Sequence, residues 1–296
     1  MTLLKQYPVL LMSPPFGLSA SEPNNAFMKE LSPTERQVDR EKALRQWLEV
    51  YNFLASMSLV ALLPQAEGLQ DQSYVANLAV VLTHLPDMPI VVSNFTAEER
   101  KGEQAPGRAF LESLRAGPVV TCPYRFEGDA DCKLIRDNIY AVGVGSRTSG
   151  LTANWFADQY KMQVIPIRMR DPKAYHLDCL IFPIDSQKTL AFVSIMDPSN
   201  IKMLERVTEI TPTPTGMYGA TNLVRVDRNL LCGTSLWNMK HDDEDYNEAR
   251  ALVEFVTKVA ADNRLEPQFF DLSEFSKSGA DISCLVLSLN KPYFAD

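Results

Sequence analysis

No two cysteines of this chain form a C-x-x-C pair, and its five cysteines (122, 132, 179, 232 and 284) are an odd, widely spaced set. That argues against a disulfide framework and against a structural zinc site, so reduced thiols and no bound metal are expected. Lysine and arginine never gather into a long run, and the formal net charge is −8. Nucleic acid is therefore a poor partner, whereas a small cationic substrate suits this balance. Long apolar runs are missing as well. The longest, around Phe53 to Leu63, is interrupted by Ser56 and Ser58 and falls well short of the roughly 20 apolar residues that a membrane span needs. The opening Met1-Thr-Leu-Leu-Lys-Gln-Tyr-Pro8 has no charged, apolar and small-residue succession of a secretory signal, which makes the cytoplasm the expected compartment. Nor does a Gly/Ser-rich or low-complexity stretch divide the chain, so a single domain over 1–296 is preferred to two.

What is present is enough apolar material for a sizeable core, 46% of 296 residues with 9% aromatic. Leu44, Trp47, Leu48, Tyr51 and Leu54 recur at helical spacing after Ser32-Pro33, which predicts a helix over Thr34 to Phe53. Further helices are predicted at Gly107 to Ala116, Leu151 to Gln159, Ser199 to Val207 and Tyr246 to Asn263, five in all. Between them, paired apolar runs over 134–142, 180–192 and 223–231 read as β-hairpins with Asp, Asn or Ser tips. The tips Asp87, Asp137, Asp185 and Asp227 lie 50, 48 and 42 residues apart, and each interval holds a hairpin, a helix and one more strand. Repetition at that period predicts an α/β pseudo-symmetric array. A fifth unit can be assembled from the chain ends, with Val9 to Met12 beside Ile282 to Leu287, closing the array and leaving few open sheet edges.

Equivalent positions in such a ring converge on its axis, and several carry polar side chains. Asn77 lies 10 residues before Asp87, Glu127 lies 10 before Asp137, and His176 lies 9 before Asp185. Cys284 follows a turn at Ser278-Gly279-Ala280 and precedes an apolar strand, which puts its sulfur near a strand end and makes it the candidate nucleophile. The competing reading is an inert core thiol, the usual fate of a cysteine in an apolar strand, and Cys122, Cys132, Cys179 and Cys232 fit that description. Of the three histidines, His176 stands out through Asp178 two residues on, since a strand would place both side chains on one face. An edge-strand ion pair is the alternative. Glu127, Asp129 and Asp131 put three carboxylates in five residues. On a loop they would be solvated, but in a recessed ring centre they need a cation, and a planar guanidinium matches two carboxylates.

Phe126-Glu-Gly-Asp-Ala-Asp131, Gly143-Val-Gly-Ser-Arg147-Thr148, Tyr175-His-Leu-Asp178 and Ser278-Gly-Ala-Asp-Ile-Ser-Cys284 together resemble motifs of the guanidino-group-modifying enzymes. This amidinotransferase or pentein superfamily includes dimethylargininase, arginine deiminase, arginine dihydrolase and glycine amidinotransferase. Leu11-Met-Ser-Pro-Pro15, Asn24-Asn25, Gly68-Leu-Gln-Asp71 through Asn77, and Glu99-Arg-Lys-Gly-Glu103 extend the resemblance over nearly the whole chain. It implies a five-bladed ββαβ propeller in which Cys284 attacks a guanidinium carbon to give a covalent amidino-thioether. His176 would protonate the departing amine and then activate water. Glu127, Asp131 and Asp178 would hold the guanidinium, Asp71, Asn77 and Asn25 would line the pocket, and Arg147 would grip an α-carboxylate. The motif departs from the Glu-Gly-Gly-Asp of many relatives, leaving Asp129 and Asp131 to be told apart, with Asp131 preferred.

These readings predict a hydrolase of the guanidino C–N bond of arginine or an N-methylated arginine, with a small-molecule guanidino substrate and no cofactor. Amidino transfer to an acceptor amine is a second enzymatic reading, because the covalent intermediate is common to both. A non-catalytic module that only binds a partner or metabolite is the reading from another class. Homodimerisation stays open, with no interface legible.

Overall fold

A computed structural model of the protein describes residues 7–290, so Met1 to Gln6 of the opening stretch lie outside the described residues. The chain runs β1 (Val9–Met12), α1 (Ala26–Glu30), α2 (Arg40–Ala55) and β2 (Leu59–Leu62), then β3 (Ala79–Val81), β4 (Ile90–Val92), α3 (Glu98–Lys101), α4 (Gln104–Leu114) and β5 (Val119–Thr121). There follow β6 (Cys132–Arg136), β7 (Ile139–Val144), α5 (Gly150–Tyr160), β8 (Gln163–Arg168), β9 (Ile181–Pro183), β10 (Lys188–Ala191), α6 (Pro198–Leu204) and β11 (Glu209–Pro212). The last stretch holds β12 (Leu223–Val226), β13 (Asn229–Gly233), α7 (Tyr246–Asp262), β14 (Glu266–Phe270), α8 (Ser273–Ser276) and β15 (Leu287–Ser288).

Fifteen strands make five sheets of three, β3-β4-β5, β6-β7-β8, β9-β10-β11, β12-β13-β14 and β15-β1-β2. In each, the first strand is antiparallel to the second and the second parallel to the third, with a helix crossing between them. This is the pseudo-symmetric ββαβ propeller expected from the repeat. The blade made from the chain ends is also present, but only Leu287–Ser288 pairs with β1, through Leu11↔Leu287 and Leu10↔Ser288. Ile282–Leu285, expected as strand, is a 3₁₀ turn.

The strand alternation explains the packing. Leu10 and Met12 point to one side of β1 and Leu11 to the other, into two different apolar clusters. Five such clusters fill the five seams between neighbouring blades. Strands buried on both faces must read as nearly unbroken apolar runs, and Ala79–Val81 and Ile90–Val92 do. Each large side chain buried in a seam contributes about 1.5–3 kcal/mol of transfer free energy.

Four of the five predicted helices differ from the structure by three residues or fewer at either end; the first begins later, at Arg40. Ser32 does cap a turn, its backbone N–H donating to Glu35 Oε2 at 2.7 Å, with Glu35 N–H returning to Ser32 Oγ at 3.3 Å. The chain then leaves that turn, and the lasting cap is Asp39, whose Oδ1 accepts from Lys42 N–H at 3.0 Å. Hairpin tips use aspartate as expected: Asp137 and Asp227 adopt positive φ of 48° and 55°. Asp185 instead bends its hairpin by accepting from the N–H groups of Gln187 and Lys188.

The device that positions the site is a short 3₁₀ turn feeding the innermost strand of a blade. Such turns occupy Val75–Asn77, Gly128–Asp131, Leu177–Cys179 and Ile282–Leu285. Two of them approach so closely that a Cβ on Gly128 would lie 2.4 Å from the Ala76 carbonyl oxygen; its φ of +66° also favours glycine.

Candidate active site

The turns bring Asn77, His176 and Cys284 to one small cavity, lined also by Asn24, Asn25, Asp71, Tyr74, Arg100, Arg147, Tyr175, Ser278 and Ala280. The volume is about 20 Å³, room for a single water. Segments from sequence positions 24 to 284 contribute, which is why no single stretch of sequence reveals the site.

His176 precedes its 3₁₀ turn in extended conformation, and its Nε2 lies 2.8 Å from Glu127 Oε2. Glu127 is wholly buried behind the ring and does not reach the cavity wall. Burial alone would raise its pKa, but the His176 hydrogen bond and the charges of Arg147 and Arg100 outweigh that and bring it down to about 2. With Glu127 ionised, a proton on Nε2 satisfies it and leaves Nδ1 as the acceptor nitrogen; the Asn77 amide nitrogen lies 3.4 Å from Nδ1 and 3.5 Å from Nε2.

Cys284 sits in the 3₁₀ turn that Asp281 caps, where Asp281 Oδ1 accepts from Ile282 N–H at 2.7 Å. Asn222 supports the turn from the neighbouring blade, its Oδ1 accepting from Ser283 N–H at 2.9 Å. Burial first, and the nearby Asp178 second, push the thiol up to about 12. An empty site therefore holds a thiol; a thiolate needs a cation brought to it.

Asp71 is the carboxylate on the cavity wall. Its Oδ2 accepts from Asn24 Nδ2 at 2.5 Å and from Gln70 Nε2 at 3.4 Å, while Oδ1 is buried with no hydrogen-bond partner among the described residues. Burial raises its pKa, against the pull of Arg100 and its amide donors. An unsatisfied buried acceptor costs about 1–3 kcal/mol, and a planar donor would relieve it. The loop carrying Asp71 is fixed by Arg100, whose Nη2 donates to the carbonyls of Asp71 and Tyr74 at 3.3 Å each while a two-point pair with Glu103, both contacts 2.8 Å, neutralises its charge.

Arg147 lies under the Tyr175 ring, its Cζ 5.0 Å from the centroid. Its contacts with Glu127 are long, 3.3 and 3.4 Å, and its shortest bond, 2.6 Å, goes from Nη2 to the Asn24 carbonyl. Asn25 caps α1 by accepting from Met28 N–H at 2.8 Å and donates to the Ser278 carbonyl at 3.0 Å.

Of the three carboxylates expected around the guanidinium, Glu127 lies behind His176, and the other two stand elsewhere. Asp131 accepts from Thr148 Oγ1 at 2.6 Å and from Leu177 N–H at 3.0 Å, tying two blades together away from the cavity. The strand expected at His176 to Asp178 is a 3₁₀ turn, so the two side chains do not share a face. Asp178 turns instead under the nucleophile's own turn, accepting from Ser283 Oγ at 2.6 Å. Asp129, the alternative to the preferred Asp131, pairs with Lys133 at 2.5 Å in a separate cavity of about 50 Å³ lined by the blades' inner strands. Sequence reasoning missed Asn24, Arg100 and Asn222 as site residues. The motif Glu99-Arg100-Lys-Gly-Glu103 carried a signal for Arg100, an Arg and Glu three apart on one helical turn; nothing local marks the other two.

No family model matches the chain. The bifunctional arginine dihydrolase/ornithine cyclodeaminase ArgZ of Synechocystis is 24% identical over 290 residues, 97% of this chain and 38% of that protein. The chain thus spans under two fifths of the length of that relative. The N(G),N(G)-dimethylarginine dimethylaminohydrolase of Mycobacterium tuberculosis is 25% identical over 284 residues, 94% of this chain and 85% of the relative. Among solved structures, the N-terminal domain of ArgZ, a cysteine-to-serine variant bound to substrate, superposes with a TM-score of 0.83 at 22% identity, covering 97% of this chain and all of that one.

Proposed function

We propose, for a chain that has the pentein fold of the guanidino-group-modifying enzymes and is related in sequence to an arginine dihydrolase and a dimethylargininase, that it hydrolyses a guanidino C–N bond of arginine or an N-methylated arginine. The observation that carries this reading is one cavity lined by Cys284, His176 and Asp71, whose Oδ1 is buried with no hydrogen-bond partner among the described residues. Closure of all five blades within residues 7–290 supports the reading of one guanidino-modifying domain over 1–296.

The guanidinium lies against Asp71, whose free Oδ1 and rearranged Oδ2 offer two acceptors to two N–H groups. Its positive charge next to the sulfur lowers the cost of ionising Cys284, so the substrate itself supplies much of the activation. The thiolate attacks the guanidinium carbon, and the thiol proton leaves through His176 Nδ1. Collapse of the tetrahedral adduct breaks a C–N bond; Nδ1 returns the proton to the departing ammonia or alkylamine, leaving the amidino-thioether. His176 next takes a proton from water, which attacks the same carbon and releases the sulfur. Glu127 stabilises the imidazolium at each step and fixes the tautomer, acting through His176 without touching substrate. Asn77 and Asn25 bound the reacting end. Arg147 receives the α-carboxylate in exchange for the Asn24 carbonyl, while its contacts of 3.3 and 3.4 Å with Glu127 stay in place. Asp131 and Asp178 hold the turns that aim His176 and Cys284.

Cys284→Ser and His176→Ala proteins, assayed with arginine and dimethylarginine for citrulline, ornithine and amine release, should both lose turnover. Wild-type rates in both would end the assignment. Transfer to glycine or ornithine in place of water uses the same intermediate; an amidinated acceptor accumulating faster than the hydrolytic product would favour that second reading.

A further inference from the structure

The geometry points to a second small-molecule site on the face of the ring opposite Cys284, one that receives the zwitterionic head of an α-amino acid through Arg136 and Asp137. The 3₁₀ turns of the catalytic cavity enter the innermost strands at one end, and the hairpin tips lie at the other. A cavity of about 310 Å³ sits among three neighbouring tips, a size at which small-molecule sites begin. His84 reaches it from the β3–β4 connection, Arg136 and Asp137 from β6–β7, and Ser186 and Gln187 from β9–β10. The innermost strand β6 starts after the turn that follows Glu127, the partner of His176, and ends at Arg136; it spans about 13 Å. The two cavities are therefore separate, and the inference holds whatever Cys284 acts on.

Charge in this cavity is left unspent. Arg136 is partly buried, its Nε is a buried donor without a hydrogen-bond partner, and among the described residues nothing pairs with its guanidinium. Asp137, the next residue, lines the same cavity without an ion pair to it. Arg225, close to the tip of β12–β13, shows what a guanidinium kept for the fold does: Nη1 donates to the Ile184 carbonyl at 2.8 Å and Nε to the Asp227 carbonyl at 3.0 Å. The pairing register of β6 also shifts between Leu134 and Arg136, and both of these residues line the cavity; an irregularity of this kind re-aims side chains at a strand end.

The remaining groups define what fits. His84 is fully engaged, with Nε2 donating to the Tyr160 carbonyl at 3.1 Å and Nδ1 accepting from the Tyr140 hydroxyl at 2.9 Å, so it forms a neutral wall. The Ser186 and Gln187 side chains bond only each other, at 3.5 Å, and keep a hydroxyl and an amide for a ligand. An unpaired, half-buried guanidinium is held at a cost that a bound carboxylate offsets. Phosphate would meet the repulsion of Asp137, and a simple amine that of Arg136. A molecule with a carboxylate and an ammonium on one carbon satisfies both, and Leu134 offers apolar surface to its side chain.

Titration calorimetry of the full chain with L-alanine, acetate, ethylamine and inorganic phosphate tests the site, and hydrogen exchange locates it. L-Alanine should bind about tenfold more tightly than each of the other three and protect amides in 83–88, 135–138 and 185–188. Arg136→Gln should weaken L-alanine by about tenfold or more with an unchanged or higher melting temperature, because an unpaired charge is removed. Asp137→Asn should weaken L-alanine and leave acetate within about twofold. Phosphate binding as tightly as L-alanine would overturn the zwitterion. Protection confined to residues 24–25 and 147 would assign the amino acid to the catalytic cavity and overturn the second site, as would unaltered binding in folded Arg136→Gln or no binding of L-alanine to wild type.

Discussion

Two cavities lie within one ring, and they treat buried charge in opposite ways. In the axial one, Lys133 and Asp129 meet at 2.5 Å, and close by Asp131 accepts from Thr148 Oγ1 and Leu177 N–H and Asp178 from Ser283 Oγ. In the other, Asp71 keeps an acceptor with no partner among the described residues and Arg147 reaches Glu127 only at 3.3 Å or more. Charges that satisfy one another hold a fold together, whereas a charge left short is a place for a ligand. Of the acidic cluster Glu127 to Asp131, Asp129 and Asp131 therefore serve the fold, and Asp71 is the carboxylate we propose for a ligand.

The strongest way to break this contrast is at the sulfur. Cys284→Ser should lower guanidine turnover by about 10,000-fold or more, while Cys132→Ser in the axial cavity should leave turnover per folded molecule within a few-fold; steady-state assays of both decide it. Next in size, Lys133→Met strands Asp129 as a buried unpaired carboxylate. That should cost about 3–5 kcal/mol in urea unfolding with little change in kcat of the protein that remains folded. Asp71→Asn is expected to do the reverse, lowering kcat/KM by about 100- to 1000-fold while stability holds or rises slightly, since the orphaned charge is removed.

The smallest effect separates two carboxylates four residues apart by the sign of their pH dependence. Glu127 is held down to about 2, below its unfolded value, so its contribution is present above that value and is lost as pH falls from about 4.5 toward 2. Burial lifts Asp131 to about 6, so its contribution is complete below about 4 and is lost as pH rises through 6. Unfolding curves across pH should show Glu127→Gln nearing wild-type stability in acid, and Asp131→Asn gaining on wild type between pH 4 and 6. The same sign for both would mean that burial and charge pairing do not divide these two carboxylates.

Much of the architecture could be read from the chain alone because it repeats. Aspartate tips some 45 residues apart fixed the blades, and helical spacing located the crossings, since each blade solves the same packing problem. Thr34 was too early a helix start because Ser32 and Glu35 make a real capping box on a turn that does not propagate. Cys284 and His176 were legible as groups at blade entrances that meet at one cavity. The direction of Asp178 was not, because it depends on a 3₁₀ turn where the apolar neighbours suggested a strand. Asn24 and Asn222 act across more than 40 residues of sequence, on Asp71 and Ser283 respectively, and no local pattern marks a partner that only the closed ring brings near.

The most direct test of the contrast is the alkylation rate of Cys284 by chloroacetamidine, a small amidinium that must be held by the guanidinium-binding carboxylate before it reacts. In Asp71→Asn the rate should fall by about 50-fold or more, and in folded Asp131→Asn it should stay within about threefold of wild type. A fall in Asp131→Asn with Asp71→Asn unaffected would give the cation to the acidic cluster and contradict the account.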